Sequence, residues 1–275
     1  MATTIEMTTM DQELPTHTPN SAASDSMIHH VKSKGADYEK ALESWLEWTA
    51  PAFSIFGEDY WFLQTFTYGG AERVRLLIKL VSATRSGDAT QLGEVKQLLD
   101  KTVTNVMGML NTITIISALF LVLLYTQIFN PAIYGNLSLS SNSYFSHGNI
   151  VTFQCFFYGL LNLSFALFVY LIITNFRKIN MFNFWLESCS AKIDYLAQGD
   201  LLFNAYMILV FAILSFLFAI PFAFALLVSP ASGLASMLFY VTVVPLCFMK
   251  ITCDAKPALV ALRDQAKAAL GLNDA

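Results

Sequence analysis

The chain has 275 residues, of which 55% are hydrophobic and only 13% are charged, with a formal net charge of −4. An ordinary soluble domain carries about 25% charged residues, so this composition excludes that class and indicates a membrane protein. The small acidic net charge and the lack of a basic stripe also exclude a nucleic-acid partner.

The amino-terminal segment, residues 1–36, is rich in Thr, Ser, Pro and Asn and poor in large apolar side chains. Such a segment buries too little surface to offset the entropy of ordering, so we expect a disordered cytosolic tail. Its adjacent His29 and His30 lack the further ligands that a closed metal site needs, and we expect no bound metal there.

Residues 37–101 are predicted to form amphipathic or interfacial helices on the cytosolic side of the membrane. The apolar spacing that begins at Asp37 predicts a helix that ends at Pro51. A second helix is predicted from Ala71 to Thr84. Its basic flank is expected to face an anionic leaflet. The alternative is an ordinary cytosolic helix packed on the bundle. The basic residues of the flank are Arg73, Arg75 and Lys79.

Two long apolar segments follow, at about 103–129 and 151–176, in a stretch with no Asp, Glu, Lys or Arg. Each is longer than the roughly 20 residues that cross a hydrocarbon core of about 30 Å. No helix breaker separates Gln91 from the first span, so we expect one helix of about 60 Å that projects into the cytosol. The loop between the spans contains the sequon at Asn136, a candidate N-glycosylation site.

A third span at about 201–228 and a fourth at about 234–250 are separated by a short break, which predicts a helical hairpin. Residues 252–275 are predicted to form a separate cytosolic C-terminal helix. In that helix Pro257 suits the first turn and Gly271 suits the stop. Two cysteines predicted to lie near the cytosolic surface, Cys189 and Cys253, are candidate palmitoylation sites.

All sixteen Lys and Arg residues lie before the first span, between the second and third, or from Lys250 onward. By the positive-inside rule, both termini are expected to be cytosolic. The predicted fold is therefore all-α, a polytopic membrane protein whose residues 102–251 form a bundle of four transmembrane helices, with amphipathic helices in the cytosol. The sequence carries no signal that separates the plasma membrane from internal membranes.

The spans carry no Asp, Glu, Lys or Arg in their interiors, and these are the residues that proton relays and ion-coupled transporters keep at membrane depth. No paired carboxylates, metal-ligand cluster or activated nucleophile can be assembled there. We therefore expect no catalytic residue, no enzyme activity, no metal and no cofactor.

Small and polar residues within the spans are the remaining candidates for a function. Small residues permit close helix approach, and Asn111 and Asn162 are expected to be buried amides that join helices of this bundle or of an oligomer. A functional alternative is that one side of the first span lines a neutral pore. The candidates for helix packing or pore lining are Gly108, Asn111, Thr114, Ser117, Asn162, Ser215 and Ala219.

Two functions are consistent with this pattern. The first is a non-catalytic scaffold, assembly or trafficking component, because every charged residue is predicted to face the cytosol. The second is an oligomeric channel or pore lined by the first transmembrane helix. The partners expected are the lipid bilayer, an unidentified cytosolic protein and, as a candidate, further copies of the chain.

Overall fold

The computed structural model describes residues 21–54, 71–87, 89–128, 147–198 and 201–272 of the chain. Within these ranges the chain forms eight α-helices and no strand, which confirms the predicted all-α class. A π-helical turn, Met181–Trp185, follows the fifth helix. The helices are α1 Ser21–Ser33, α2 Gly35–Ser54, α3 Ala71–Ser86, α4 Ala89–Ile128, α5 His147–Asn180, α6 Cys189–Gln198, α7 Leu201–Leu227 and α8 Pro230–Ala269.

Four of these helices are long enough and apolar enough to cross a membrane, as predicted. Each predicted span falls on one of them, because an apolar run of this length satisfies its backbone only as a helix in hydrocarbon. The apolar segments are Gly93–Thr126 on α4, Ile150–Trp185 on α5 with its π-turn, Asn204–Leu227 on α7 and Pro230–Cys247 on α8.

The first spanning helix continues without a break into the residues before it. α4 has 40 residues, which is about 60 Å at 1.5 Å per residue, roughly twice the thickness of a hydrocarbon core. The prediction of one long helix is confirmed, and α4 therefore extends well beyond the membrane at one end.

α5 lies at the centre of the bundle, between α4 and α7. The ring of Phe168 is fully buried and stacks on Phe120 of α4, with ring centroids 5.1 Å apart. On its other side, the hydroxyl of Ser164 donates to the carbonyl oxygen of Ala212 at 2.7 Å. Ala212 is one of three buried alanines at seven-residue spacing on α7, with Ala205 and Ala219, and these small side chains let the helices approach closely.

α7 and α8 form the predicted hairpin. Ser229 caps α8: its hydroxyl accepts from the backbone N–H of Ser232, and the Ser232 side chain returns a bond to the backbone of Ser229. Pro230 follows at the first helical position, where its missing N–H leaves no bond unmade. This capping box turns the chain back within a few residues, so α8 packs against α7.

Two predictions for the amino-terminal part are wrong. Ser21–Ser33 is helical rather than disordered, because Met27 and Val31 are buried and α1 packs against α2, α3 and α6. α2 also continues past Pro51 to Ser54 instead of ending there. Residues 55–70, which follow α2, lie outside the described residues.

The predicted separate tail helix is not present as such. α8 continues from Pro230 to Ala269, with Pro245 and Pro257 in its interior, although each interior proline removes one N–H from the helical ladder. Pro257 therefore occupies a helix interior instead of a first turn. Gly271 does end the segment, with a φ of 69° that glycine adopts readily.

The charged cap is the name that we give to helices α1, α2, α3 and α6 together with two further segments. These segments are residues 89–101 at the start of α4 and residues 257–272, which form the end of α8 and the residues just after it. The cap holds most of the charged residues that the structure describes. Its core contains buried Leu42, Leu77, Leu99, Ile193 and Leu262, which come from five different helices. The cap is therefore packed onto the two long helices that enter it from the bundle.

Candidate functional site

A cavity of about 290 Å³ opens in the charged cap between α2, α3 and α6. It lies on the polar side of α2, whose Tyr38, Leu42 and Trp45 point into the core. Seven of the nine residues that line it have polar or charged side chains, although apolar atoms supply most of the lining surface itself. The lining residues are Lys34, Asp37, Tyr38, Lys40, Ala41, Ser44, Arg73, Asp194 and Ala197.

Asp194 of α6 is the residue that joins this site to the amino-terminal helices. Its Oδ1 accepts from Nε2 of His30 at 3.1 Å and from the hydroxyl of Tyr38 at 3.4 Å. Tyr38 is buried, and burial, together with the negative charge of Asp194, raises the pKa of the Tyr38 phenol above its ordinary value. The carboxylate therefore fixes α1 and α2 against α6, with Tyr38 held as a neutral donor.

Arg73 joins α3 to the end of α6. Its Nε donates to the carbonyl oxygen of Ala197 at 2.9 Å, four positions before α7 begins at Leu201. The carbonyl oxygen of Leu201 accepts in turn from Nζ of Lys178 at 2.8 Å. Two cations thus bind the backbone where the chain passes from the cap into the third span.

The cavity combines three cationic side chains with two carboxylates, so it is suited to a small polar ligand bound by charge. Some of this charge is already paired, since Nζ of Lys34 lies 3.9 Å from Oδ2 of Asp37. Neither ring nitrogen of His30 contacts a serine or cysteine side chain in the described part of the chain. Within the same residues, no group of three His, Cys, Asp or Glu side chains is placed to hold a metal.

The basic residues predicted to face a leaflet have protein partners in the cap. Arg73 is half-buried and bound to Ala197. Arg75 is exposed and pairs with Glu72 at 3.0 Å, and Lys79 is exposed and pairs with Glu94 of α4 at 3.0 Å. The alternative in which this helix packs on the bundle describes α3 well, because its apolar side, including Leu76, Leu77 and Leu80, is fully buried.

The predicted pore-lining residues of α4 do not share one surface. Gly108 and Asn111 are exposed, Thr114 is half-buried, and Ser117 is fully buried. The hydroxyls of Thr114 and Ser117 donate to the carbonyls one turn earlier, at 2.8 and 2.7 Å. In a single chain these hydroxyls are therefore satisfied within their own helix.

Asn111 and Asn162 differ from the expectation of buried amides, because both side chains lie on the outer surface of the single chain. The buried sides of α4 and α5 are occupied mainly by apolar residues, among them Leu110, Ile113 and Phe168. Of the α7 candidates, Ser215 is half-buried and donates to the carbonyl of Phe211 at 2.8 Å, and Ala219 is fully buried.

The candidate modification sites are only partly visible. Asn136 lies outside the described residues. Cys189 is half-buried at the first position of α6. Cys253 lies on α8, in a part for which only the helix is described.

Sequence reasoning missed the contacts of Asp194, because His30 and Tyr38 are 164 and 156 positions away from it along the chain and no local pattern links them. It also missed Asn175, which is fully buried and whose amide nitrogen and oxygen have no hydrogen-bond partner among the described residues. From the sequence, Asn175 could have been singled out as an amide at the polar end of an otherwise apolar segment.

Comparison of the chain with protein-family models, curated proteins and solved structures found no match. The case for a function therefore rests on the residues and the geometry of this chain.

Proposed function

We propose that this chain is a non-catalytic integral membrane protein that acts as a scaffold, assembly or trafficking component, whose charged cap faces the cytosol and binds a protein partner. The observation that carries the proposal is the continuity of two 40-residue helices, α4 and α8, from the apolar bundle into the packed cap. A rigid connection of this kind holds a recognition surface at a fixed position relative to the membrane.

The orientation follows from the distribution of charge. The sixteen Lys and Arg residues all lie outside the two segments that join the first span to the second and the third to the fourth. Membrane orientation is determined mainly by Lys and Arg residues in short loops, because the loops that carry them stay on the cytosolic side. This supports a cytosolic cap and two cytosolic termini.

The π-turn Met181–Trp185, which links α5 to α6 of the charged cap, offers an exposed apolar surface for a partner. Phe184 and Trp185 are adjacent and have 72% and 74% of their surface exposed. Exposed aromatic pairs with polar neighbours, here Asn183 and Glu187, are typical of the anchors that dominate protein interfaces. We propose that this pair contacts the partner.

The experiment compares full-length chains purified from native membranes in a mild detergent. The wild type is expected to retain a stoichiometric partner, which the double variant Phe184→Ser, Trp185→Ser loses. The control Leu272→Ser removes a different exposed apolar side chain of the cap and is expected to retain the same partner. Loss of the partner in the control, or its retention in the double variant, would exclude this surface as the docking site.

An oligomeric channel lined by α4 is the second candidate. Gly108, Asn111 and Thr112 are exposed on the single chain, which leaves them accessible to a pore formed between copies. The purified protein in liposomes would then conduct ions, and Asn111→Leu would change the current. An unchanged current in that variant, or no current in the wild type, counts against the channel and favours the scaffold.

A further inference from the structure

The outer face of α5 carries an amide at a depth where only hydrocarbon is expected. Asn162 lies 12 positions after Ile150, where the apolar part of the helix begins, and 15 positions before Arg177. At 1.5 Å per residue these distances are about 18 and 22 Å, so Asn162 lies inside the apolar segment and far from both of its ends. Its side chain is exposed and makes no hydrogen bond to any residue that the structure describes.

Asn111 on α4 is also an exposed amide, but its depth is different. The stacked rings of Phe120 and Phe168 fix the register of the antiparallel α4 and α5. Asn111 precedes Phe120 by nine positions and Arg177 follows Phe168 by nine, so Asn111 lies at the level of Arg177. By the same register, Asn162 lies at the level of Thr126, about 22 Å from the level of Arg177 and therefore within a core of about 30 Å measured from there. Lipid headgroups and water satisfy the amide of Asn111, whereas hydrocarbon offers the amide of Asn162 no partner.

Gly159, three positions before Asn162, is the second unexplained feature of this face. A Cβ added at Gly159 would meet no atom within 4 Å, so packing within the chain does not require a glycine there. Glycine at an interior helix position is unfavourable relative to alanine, but it lets another helix backbone approach closely. The residue is therefore suited to a contact made from outside the chain.

The face has the spacing of a helix interface. The buried side of α5 uses Phe157, Leu161, Ser164 and Phe168 at alternating steps of four and three residues. At 100° per residue, the exposed residues Cys155, Gly159, Asn162 and Ala166 repeat the same steps on the opposite side, with Ile173 one heptad further on. Larger exposed side chains, Phe156, Leu163 and Tyr170, flank them. Steps of four and three match left-handed packing of two helices at a small crossing angle.

We infer that a second copy of this chain docks on the outer face of α5, with Asn162 of each copy hydrogen-bonded to Asn162 of the other. A carboxamide contains both a donor and an acceptor, so two copies related by a two-fold axis satisfy each other. All copies insert in the same orientation, so the axis is normal to the membrane and equivalent residues of the two helices meet. This dimer is independent of the partner role proposed for the cap.

The native cysteines provide the test. Cys155 lies on the proposed face and Cys247 lies exposed on α8. Two full-length variants, each retaining only one of these cysteines, are reconstituted in liposomes at low protein density and oxidised with copper phenanthroline. The variant with Cys155 is expected to form a disulfide-linked dimer, and the variant with Cys247 is not. Equal crosslinking of the two variants, or none with Cys155, would overturn the inference.

Substitutions on the face then separate this dimer from contact with lipid or another protein. Gly159→Leu and Asn162→Leu, made in the variant with Cys155, are expected to lower the crosslinked fraction at least fivefold. The matched controls Gly108→Leu and Asn111→Leu change the same residue types on α4 and are expected to leave it unchanged. A dimer that survives Gly159→Leu would refute the interface. Unchanged melting temperatures establish that the variants are folded, and single-molecule photobleaching of labelled wild type gives two steps for a dimer and one for a monomer.

Discussion

Arg85 of α3 holds the last residue of α8, because its Nη1 donates to the carbonyl oxygen of Ala269 at 2.9 Å, 184 positions along the chain. That carbonyl has no partner within its own helix, as at every helix end. Nε of Arg85 also donates to Glu39 of α2 at 2.7 Å. A single guanidinium thus joins three helices of the charged cap.

We expect Arg85→Ala to loosen the final turns of α8 while the bundle stays folded. Exposed ion pairs contribute roughly 0.2–1 kcal/mol, so amide hydrogen exchange in residues 262–272 should become about threefold faster. Lys79→Ala, which removes the exposed pair with Glu94, is the control and should leave those amides unchanged. Equal amide exchange rates in the wild type and in Arg85→Ala would show that Arg85 does not hold the end of α8.

The hydrogen bond from Ser164 to the carbonyl of Ala212 joins α5 to α7 inside the bundle. Interhelical bonds of this kind are worth about 0.6–2 kcal/mol in membranes, so Ser164→Ala should lower the free energy of unfolding by about 1 kcal/mol. Ser215→Ala is the matched control, since among the described residues that hydroxyl bonds only the carbonyl of Phe211 in its own helix. Unfolding in mixed micelles measures both, and an equal effect of the two variants would argue against the interhelical role.

Gly233 marks the closest approach in the hairpin of α7 and α8. A Cβ at this position would lie 2.5 Å from the Cβ of Ala225 and 2.9 Å from the carbonyl oxygen of Pro221. Overpacking of this kind costs about 1–3 kcal/mol, so Gly233→Ala should lower the melting temperature. Gly93→Ala, at an exposed helical position with no atom within 4 Å of the added Cβ, should instead raise stability by up to about 1 kcal/mol.

The unpaired amide of Asn175 is a cost to the fold. A buried polar group without a hydrogen bond loses about 1–3 kcal/mol, and the Asn175 amide has no such bond among the described residues. Asn175→Leu is therefore expected to raise the melting temperature, whereas Asn175→Asp should lower it by placing a carboxyl group in the same buried position. A lower melting temperature for Asn175→Leu would contradict this expectation.

Tyr38 makes the cap sensitive to alkaline pH. Its pKa is raised by burial and by the charge of Asp194, above the value of about 10 for an unfolded chain. The contribution of Tyr38 to stability is therefore fully present below a pH of about 10. It is lost as the pH rises further, because the unfolded chain releases its phenolic proton first. Tyrosinate absorbance during titration should show a late-titrating tyrosine that is absent from Tyr38→Phe. The stability of that variant should also decrease less steeply as the pH rises.

The sequence by itself determined the membrane architecture. Four apolar runs of sufficient length specify four spans, and the absence of a breaker between Gln91 and the first span specifies the long α4. The short break with Ser229 and Pro230 specifies the hairpin. These features are encoded locally, since hydrocarbon leaves the backbone no alternative to helix and caps act within a single turn.

Only the tertiary structure decided which surfaces face one another. α1 is helical because Met27 and Val31 find apolar partners in distant helices, whereas its composition alone indicates disorder. The outward position of Asn162 and the register of Asn111 with Arg177 depend on how the rings of Phe120 and Phe168 stack. Asp194 meets His30 and Tyr38 across more than half of the chain. Contacts of this kind depend on the packing of separate helices, and no pattern within one helix carries that information.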